Sequence, residues 1–558
     1  MGRKKRKPPR ADARRRREET PAPLLEPVQP PRLREWVGAC AFVALIYTLP
    51  LAGNLPAKNP NELSRIDLTV AMVHDGAISL DGVAAAYGGL PQDHSKRAGK
   101  AYSDKAPGLS FLAVPAAFVL QFVLPNAPNS DQPDYWPLRH ALTWLMIVLP
   151  AALLPFLMLR GHPAAGGRKL AGYAVVVALV TPLLTYATVF FGHLPAAVLV
   201  TAAFIVLLRP GRPDYVPGVA AATLSGVLIG FAVGTEYPTV VAGLALFASL
   251  LIRRYRWRVF ACFVVGGVIG VLPVLIYHHV AFGAAWTTGY AFKGDLKHAA
   301  VHAQGLVGVS FPSAERLWGV LLGAKRGLLY YCPLLWLAPL GLAVMARRCR
   351  RDFWPLLLMT LGFLFFTAGF VDWQGGWSAA ARHFTPALPL LAFAIVEAIE
   401  VMRRRLWSSV IVTALAGMSA CGALLSVAVT PFFPETFTAP LSQAAMRSLA
   451  DGAALPNLLT QVLSVPPVWA FGLIAVGVLA AVAFALVRVL SVRRGAVWIP
   501  AVLVVAALSY AAAIEANAKA PTPRQEVTRA RFVLWRLGYI DLAKKVDEAA
   551  RRPTTLIP

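Results

Sequence analysis

A chain of 558 residues that is 57% hydrophobic and only 15% charged, with a mean hydropathy of +0.58, is not a soluble globular protein, in which about a quarter of residues carry charge. Long apolar segments recur along nearly its whole length and no period-two alternation marks an outer-membrane barrel, so the fold class is an all-α polytopic membrane protein. The net charge of +26 sits largely in an N-terminal head and in short arginine clusters between apolar segments. There it reports topology rather than a nucleic-acid partner.

In chain order, residues 1–36 form a basic arm beginning MGRKKRKPPRADARRRREET, read as cytoplasmic and near anionic headgroups. The first apolar segment lacks a small-residue cleavage site and is an anchor rather than a signal peptide. Apolar segments of spanning length follow near 37–53, 138–159, 170–191, 194–208, 216–234, 238–252, 259–280, 327–346, 353–371, 384–402, 406–430, 467–487 and 497–514, about 13 transmembrane helices. The stretch 107–124 is also uncharged, directly after Asp104 and Lys105. With the N-terminus cytoplasmic, the arginine-rich connections 160–169, 209–215, 253–258, 347–352, 403–405 and 488–494 all fall inside. Counting 107–124 as a span would turn all of them outward, against the positive-inside rule. With Pro107, Gly108 and Pro115, this stretch is therefore expected to be a re-entrant or juxtamembrane helix on the outer side. The expected domains are a catalytic core at 37–402 with outer loops 54–137 and 281–326, C-terminal helices at 403–514 with outer loop 431–466, and an amphipathic tail at 515–558. The same count puts that basic tail outside, where the charge rule does not favour it.

Most of the unusual polar residues fall in the outer connections. In NPNELSRIDLTVAMVHDG (59–76), Leu63, Ile66, Val70 and Val73 recur at helical spacing and mark an amphipathic helix on the membrane surface. Glu62, Arg65 and Thr69 form another stripe of that helix. Asn59 as N-cap, Pro60 at the first helical position and Glu62 completing a capping box account for the start without any chemistry. The stretch DHSKRAGKAYSDKAPG (93–108) ends on Lys105, placed either to snorkel to lipid phosphate or to bind a substrate phosphate. VDWQGGWSAAARHFTP (371–386) puts Arg382 and His383 at a helix entry, the arginine being a candidate phosphate fork. His193, Glu236, the aromatic stretch 277–292 and the Lys325–Arg326 pair are lesser features of the same side. His298 and His302 have zinc-compatible spacing but no third ligand in sequence, and incidental spacing is favoured. The five cysteines include no CxxC, and there is no Walker, dinucleotide, GxSxG or haem motif.

An acidic motif opening a long first outer loop, then YSDKAPG before a short helix, then an arginine at a later outer helix entry, resembles the GT-C superfamily of membrane glycosyltransferases. The branch is that of the aminoarabinose transferases and protein O-mannosyltransferases. The motifs stand at 61–65, 102–108 and 375–383, and the likeness extends loosely over about 55–390. It implies transfer of a sugar from a polyprenyl-phosphate donor to a hydroxyl of a glycan, lipid or protein acceptor. It further implies an inverting mechanism without metal or other cofactor, on the outer face of a bacterial inner membrane. A hydroxyl nucleophile needs a positioned base and the departing phosphate needs cations. The catalytic candidates are Glu62 and Asp67, because Asn61 stands where relatives with an Asp–Glu pair carry the aspartate. Lys105 and Arg382 are the implied phosphate ligands, and Trp377 and His383 would line the site. Arg65, Tyr102, Asp104, His193 and Glu236 complete the substrate-binding set. Relatives with a GPR motif have Gly-Pro where this chain has Ala380 and Ala381. A transporter or flippase of lipid-linked saccharides is the main alternative, but no internal repeat or midplane charge favours it. An O-antigen ligase-like enzyme and a non-catalytic assembly subunit are the others.

Overall fold

The computed structural model describes residues 33–51, 59–86, 89–124, 136–160, 162, 168–212, 214–293, 305, 308–490, 495–518, 520–536 and 542–546. Most of the basic arm, both of His298 and His302, and parts of the tail lie outside the described residues. Each expected span coincides with helix, from Leu33–Thr48 to Gly495–Ala516. Among the described residues, seven helices, including Trp257–Phe282, Arg382–Met402 and Leu406–Ala428, are long and apolar enough to cross a bilayer.

Two expected spans are broken. The 170–191 segment is helical over Arg168–Val180, breaks at Pro182, which supplies no N–H, is helical again over Leu183–Tyr186 and unwinds beyond it. The 327–346 segment breaks at Cys332–Pro333 between Leu328–Tyr331 and Leu337–Arg348. Such breaks free backbone groups at membrane depth that must find partners within the protein.

Helix contacts answer the question raised by 107–124. The ring of Trp36 lies 5.7 Å from that of Phe156, while Trp144 Nε1 donates to Thr48 Oγ1 at 3.1 Å. The first helix and the one ending at Leu159 therefore run antiparallel. A full crossing between them would have made them parallel. The intervening helix, Gly108–Leu120, has 13 residues and is about 20 Å long, against a hydrocarbon core of about 30 Å. It packs on the Pro60–Val70 helix, where Ser110 Oγ donates to Arg65 O at 2.8 Å.

The connections sort to two ends of the bundle. At one end, Gly211 N donates to Asp352 Oδ2 at 2.9 Å, Arg351 Nη1 donates to Arg212 O at 3.2 Å, and Arg403 Nε pairs with Glu400 Oε2 at 2.5 Å. This arginine end gathers five of the arginine-rich connections. The opposite end gathers the first loop and the connections around 190, 236, 289, 326, 374 and 433. The tail helix Pro523–Arg536 belongs to this loop end: Gln525 Nε2 donates to Thr436 O at 2.9 Å and Arg529 pairs with Asp451.

Close packing holds the helices together where water supplies no driving force. Between Val219–Thr235 and Trp257–Phe282, a Cβ on Gly226, Gly230 or Gly270 would stand 2.1 Å from a facing carbonyl oxygen. Only glycine permits that approach.

Candidate active site

The Pro60–Val70 helix begins as expected at Asn59, whose Oδ1 accepts from Asn61 N at 2.9 Å, with Pro60 in the first position. Two expectations for it change. It is not a surface helix, since Glu62, Ser64, Arg65, Ile66, Asp67, Leu68, Thr69 and Val70 are all buried. Nor does Glu62 close a capping box. Its Oε1 instead accepts the backbone N–H of Phe190 at 2.8 Å. That N–H is available because the Leu183–Tyr186 helix has ended before it, so a break in one element meets a carboxylate from another. Among the described residues, Glu62 Oε2 carries no hydrogen bond.

One turn along, Arg65 Nη1 donates to Asn61 Oδ1 and Nη2 pairs with Glu236 Oε1 at 2.7 Å. Glu236 stands in extended conformation just beyond the Val219–Thr235 helix. Its Oε2 lies 3.5 Å from Nδ1 of His193, the first residue of the His193–Leu208 helix. The His193 ring stands edge-on to that of His383, with centroids 5.6 Å apart. Four elements thus bring Glu62, Arg65, His193, Glu236 and His383 into one constellation.

Arg382 joins it through Phe191, with the guanidinium carbon 5.9 Å from the ring centroid. Gly375 and Gly376, at φ of 69° and 61°, turn the preceding loop in a conformation that side chains with a Cβ rarely adopt. A buried arginine missed as a site feature, Arg326, locks that loop. Its Nε donates to Gln374 O at 3.0 Å, Nη1 to Lys325 O at 2.9 Å, and Nη2 to Gly376 O at 3.0 Å and Phe433 O at 3.1 Å. Arg382 has no carboxylate partner among the described residues, and its Nε is buried without a hydrogen bond. Both ring nitrogens of His383 are likewise buried and unbonded. Such atoms are uncommon in protein interiors and mark places where a ligand's acceptors fit.

Lys105 belongs to a second cluster. Its Nζ lies 3.0 Å from Asp93 Oδ2 and 3.3 Å from Asp104 Oδ1, while Lys293 Nζ lies 3.1 Å from Asp93 Oδ1 and 2.8 Å from Asp104 Oδ2. Two lysines and two aspartates close an alternating ring. Burial works against charge on Asp93, but Lys105 and Lys293 outweigh it and hold the carboxyl well below the usual carboxylate range. Burial likewise opposes charge on Lys105, yet Asp104 and Asp93 raise it above the ordinary lysine value. Tyr290 connects the two clusters, its ring 5.9 Å from Lys105 Nζ and 6.4 Å from that of Tyr237, the neighbour of Glu236. Lys293 and Tyr290 were not site candidates. Tyr290 lies in the aromatic stretch already noted, whereas no local pattern marks Lys293.

A hairpin the sequence did not announce, His94–Arg97 with Lys100–Ser103, carries Asp104 and Lys105. Its turn residues, Ala98 and Gly99, both have positive φ, as a two-residue hairpin turn requires. Tyr102 on this hairpin stands edge-on to Phe282 at 5.8 Å. Trp377 turns toward the tail, edge-on to Phe532 at 5.7 Å. Asp67 is buried on the same helix as Glu62. Among the described residues no group of three or more His, Cys, Asp or Glu is arranged to hold a metal.

This architecture matches ArnT from Cupriavidus metallidurans bound to undecaprenyl phosphate, with a TM-score of 0.52 at 16% identity, over 94% of this chain and 82% of that one. The chain has the GT-C fold. The apo state of the same ArnT gives a TM-score of 0.47 at 17% identity, over 86% of this chain and 77% of that one. The apo oligosaccharyltransferase of Archaeoglobus fulgidus gives 0.37 at 14% identity, over 93% of this GT-C chain but 60% of the other. No family model matches the sequence, and no curated protein matches it.

Proposed function

We propose that this GT-C chain is a glycosyltransferase that moves a sugar from a polyprenyl-phosphate donor to an acceptor hydroxyl. The site is the loop end of the bundle, on the extracytoplasmic face of a bacterial inner membrane. The observation that carries this reading is a positioned carboxylate, Glu62, on Phe190 and, over the adjacent Phe191, an arginine, Arg382, that has no carboxylate partner among the described residues. A shared fold with a protein solved with undecaprenyl phosphate supports the donor class.

In this reaction Glu62 Oε2 takes the proton of the acceptor hydroxyl as its oxygen attacks the anomeric carbon from the face opposite the phosphate. The new C–O bond forms as the bond from that carbon to the phosphate oxygen breaks, inverting the centre. The bonding electrons leave on polyprenyl phosphate, whose charge the Arg382 guanidinium meets in fork geometry. The Phe190 N–H orients the Glu62 carboxylate by donating to its Oε1. Arg65 holds Glu236 against His193, and the Lys105–Lys293 ring ties the first loop to the segment around Tyr290. An adjacent phosphate draws Lys105 from its carboxylates, which is how this residue contributes to donor binding.

The test is release of polyprenyl phosphate, followed by mass spectrometry, from a panel of polyprenyl-phosphate sugars with protein in lipid nanodiscs and membrane extract as acceptor. Glu62→Gln should lower turnover by about 10²–10⁴-fold with unfolding temperature little changed, because the amide oxygen still accepts from Phe190. Turnover retained in Glu62→Gln but lost in Asp67→Asn would move the base to Asp67. Donor binding without release by any form would favour a transporter.

A further inference from the structure

At the arginine end, the opposite pole from the candidate active site, a cavity of about 300 Å³ opens between the Val240–Ile252 and Arg350–Gly369 helices. Arg253, Tyr255, Arg350, Arg351 and Trp354 line it. Three guanidinium groups there face one carboxylate, Asp352, and that carboxylate is already engaged. Its Oδ2 accepts from Gly211 N at 2.9 Å and its Oδ1 lies 4.0 Å from Arg253 Nη2. Arg351 is fastened by Nη1 to Arg212 O at 3.2 Å and by Nη2 to Tyr255 Oη at 3.0 Å. Two N–H groups remain: Arg253 Nη1 and Arg351 Nε are buried with no hydrogen-bond partner.

We infer that this cavity binds the headgroup of an anionic phospholipid from the leaflet at the arginine end. Guanidinium donors with unmet hydrogen bonds and surplus positive charge fit a phosphodiester, and basic pockets between membrane helices bind such headgroups. The walls indicate the lipid rather than a soluble phosphate. Leu251 and Ile252 on one helix and Trp354 on the other are exposed beside the cavity, 54%, 52% and 44% respectively. On helices flanking a bilayer these are surfaces for acyl chains and the interface. A lipid seated there would join the 253–258 and 347–352 connections, which carry much of the charge that orients the bundle.

The experiment is native mass spectrometry of the full chain in detergent, titrated with phosphatidylglycerol and, separately, with zwitterionic phosphatidylcholine. Phosphatidylglycerol should bind preferentially and stoichiometrically, and Arg350→Gln should weaken it about fivefold, the value of one basic residue near an anionic lipid. Among the described residues Arg350 donates to Ala346 O alone, four residues back in the preceding helix and at an exposed position, so this variant tests charge with little effect on the loops. Arg351→Gln should weaken binding further and lower the unfolding temperature. Equal retention of the two lipids, or unchanged phosphatidylglycerol binding in Arg350→Gln, would overturn the inference. Competition by glycerol phosphate at equal concentration would also overturn it, by showing that the ligand is a soluble phosphate.

Discussion

Arg382 and Arg326 stand in one loop region and show how differently two buried arginines behave. Arg326 has four backbone carbonyls around it, from Gln374, Lys325, Gly376 and Phe433, and so acts as a fastener. Replacing it with methionine leaves those carbonyls without their donor, each costing about 1–3 kcal/mol. Arg326→Met is therefore expected to lower the unfolding temperature sharply and expose the 371–381 connection to protease. A variant as stable as the native chain would show that the loop holds itself. Arg382 has its Nε unbonded and rests on Phe191, so its removal should affect a ligand more than the fold. Arg382→Gln is expected to weaken polyprenyl-phosphate binding about 10–100-fold, the range for hydrogen bonds to a charged group. Its melting curve should remain near native. Unchanged lipid binding in nanodisc titrations would remove Arg382 from the donor site.

Elements position these residues through their interruptions. The unwinding after Tyr186 exposes the N–H that Glu62 accepts, and the extended step at Glu236 turns its carboxylate toward both Arg65 and His193. The hairpin delivers Asp104 and Lys105 to Lys293, clamped further by Ser95 Oγ donating to Gly289 O at 2.5 Å. This clamp has a predictable acid limit. Asp93 has its folded-state pKa depressed by Lys105 and Lys293 despite burial, so it contributes stability above the unfolded value of about 3.9. That contribution is lost as pH falls below about 4 toward the folded value. Thermal unfolding followed from pH 6 to pH 3 should show a drop below about pH 4 that is smaller in Asp93→Asn, which is itself less stable at neutral pH. Parallel curves for the two proteins would show that the ring contributes nothing to the acid transition.

At the scale of the molecule, topology is the property that every other inference uses. The antiparallel first two long helices exclude a crossing at 107–124, and the tail helix joins the end opposite the arginine clusters. The first helix thus starts at the arginine end and the tail helix lies at the loop end. With the arginine end cytoplasmic, alkaline phosphatase fused after residue 536 is expected to be active in cells, and a green fluorescent protein fused there to be dark. A bright fluorescent fusion would reverse the orientation or the parity.

Class and the positions of the apolar helices were legible in the sequence because hydropathy acts locally and accumulates over windows of about 20 residues. The Asn59–Pro60 helix start was legible for the same reason: a cap is decided within four residues. Glu62, Lys105 and Arg382 were candidates by motif, but what each touches depends on partners far along the chain. Glu62 meets Phe190, 128 residues away, and Lys293 reaches Asp93 across 200. Nothing in the amphipathic spacing of 59–76 indicated that its polar stripe faces inward, since that spacing describes two faces without saying which neighbour covers either. The ring contacts of Tyr102 with Phe282 and of Trp377 with Phe532 were hidden for the same reason. Sequence by itself determined where the chain crosses and bends, through transfer energies and backbone stereochemistry. Tertiary structure alone decided which charges are satisfied and which are left for a ligand, because that balance rests on distances between helices that local energetics does not set.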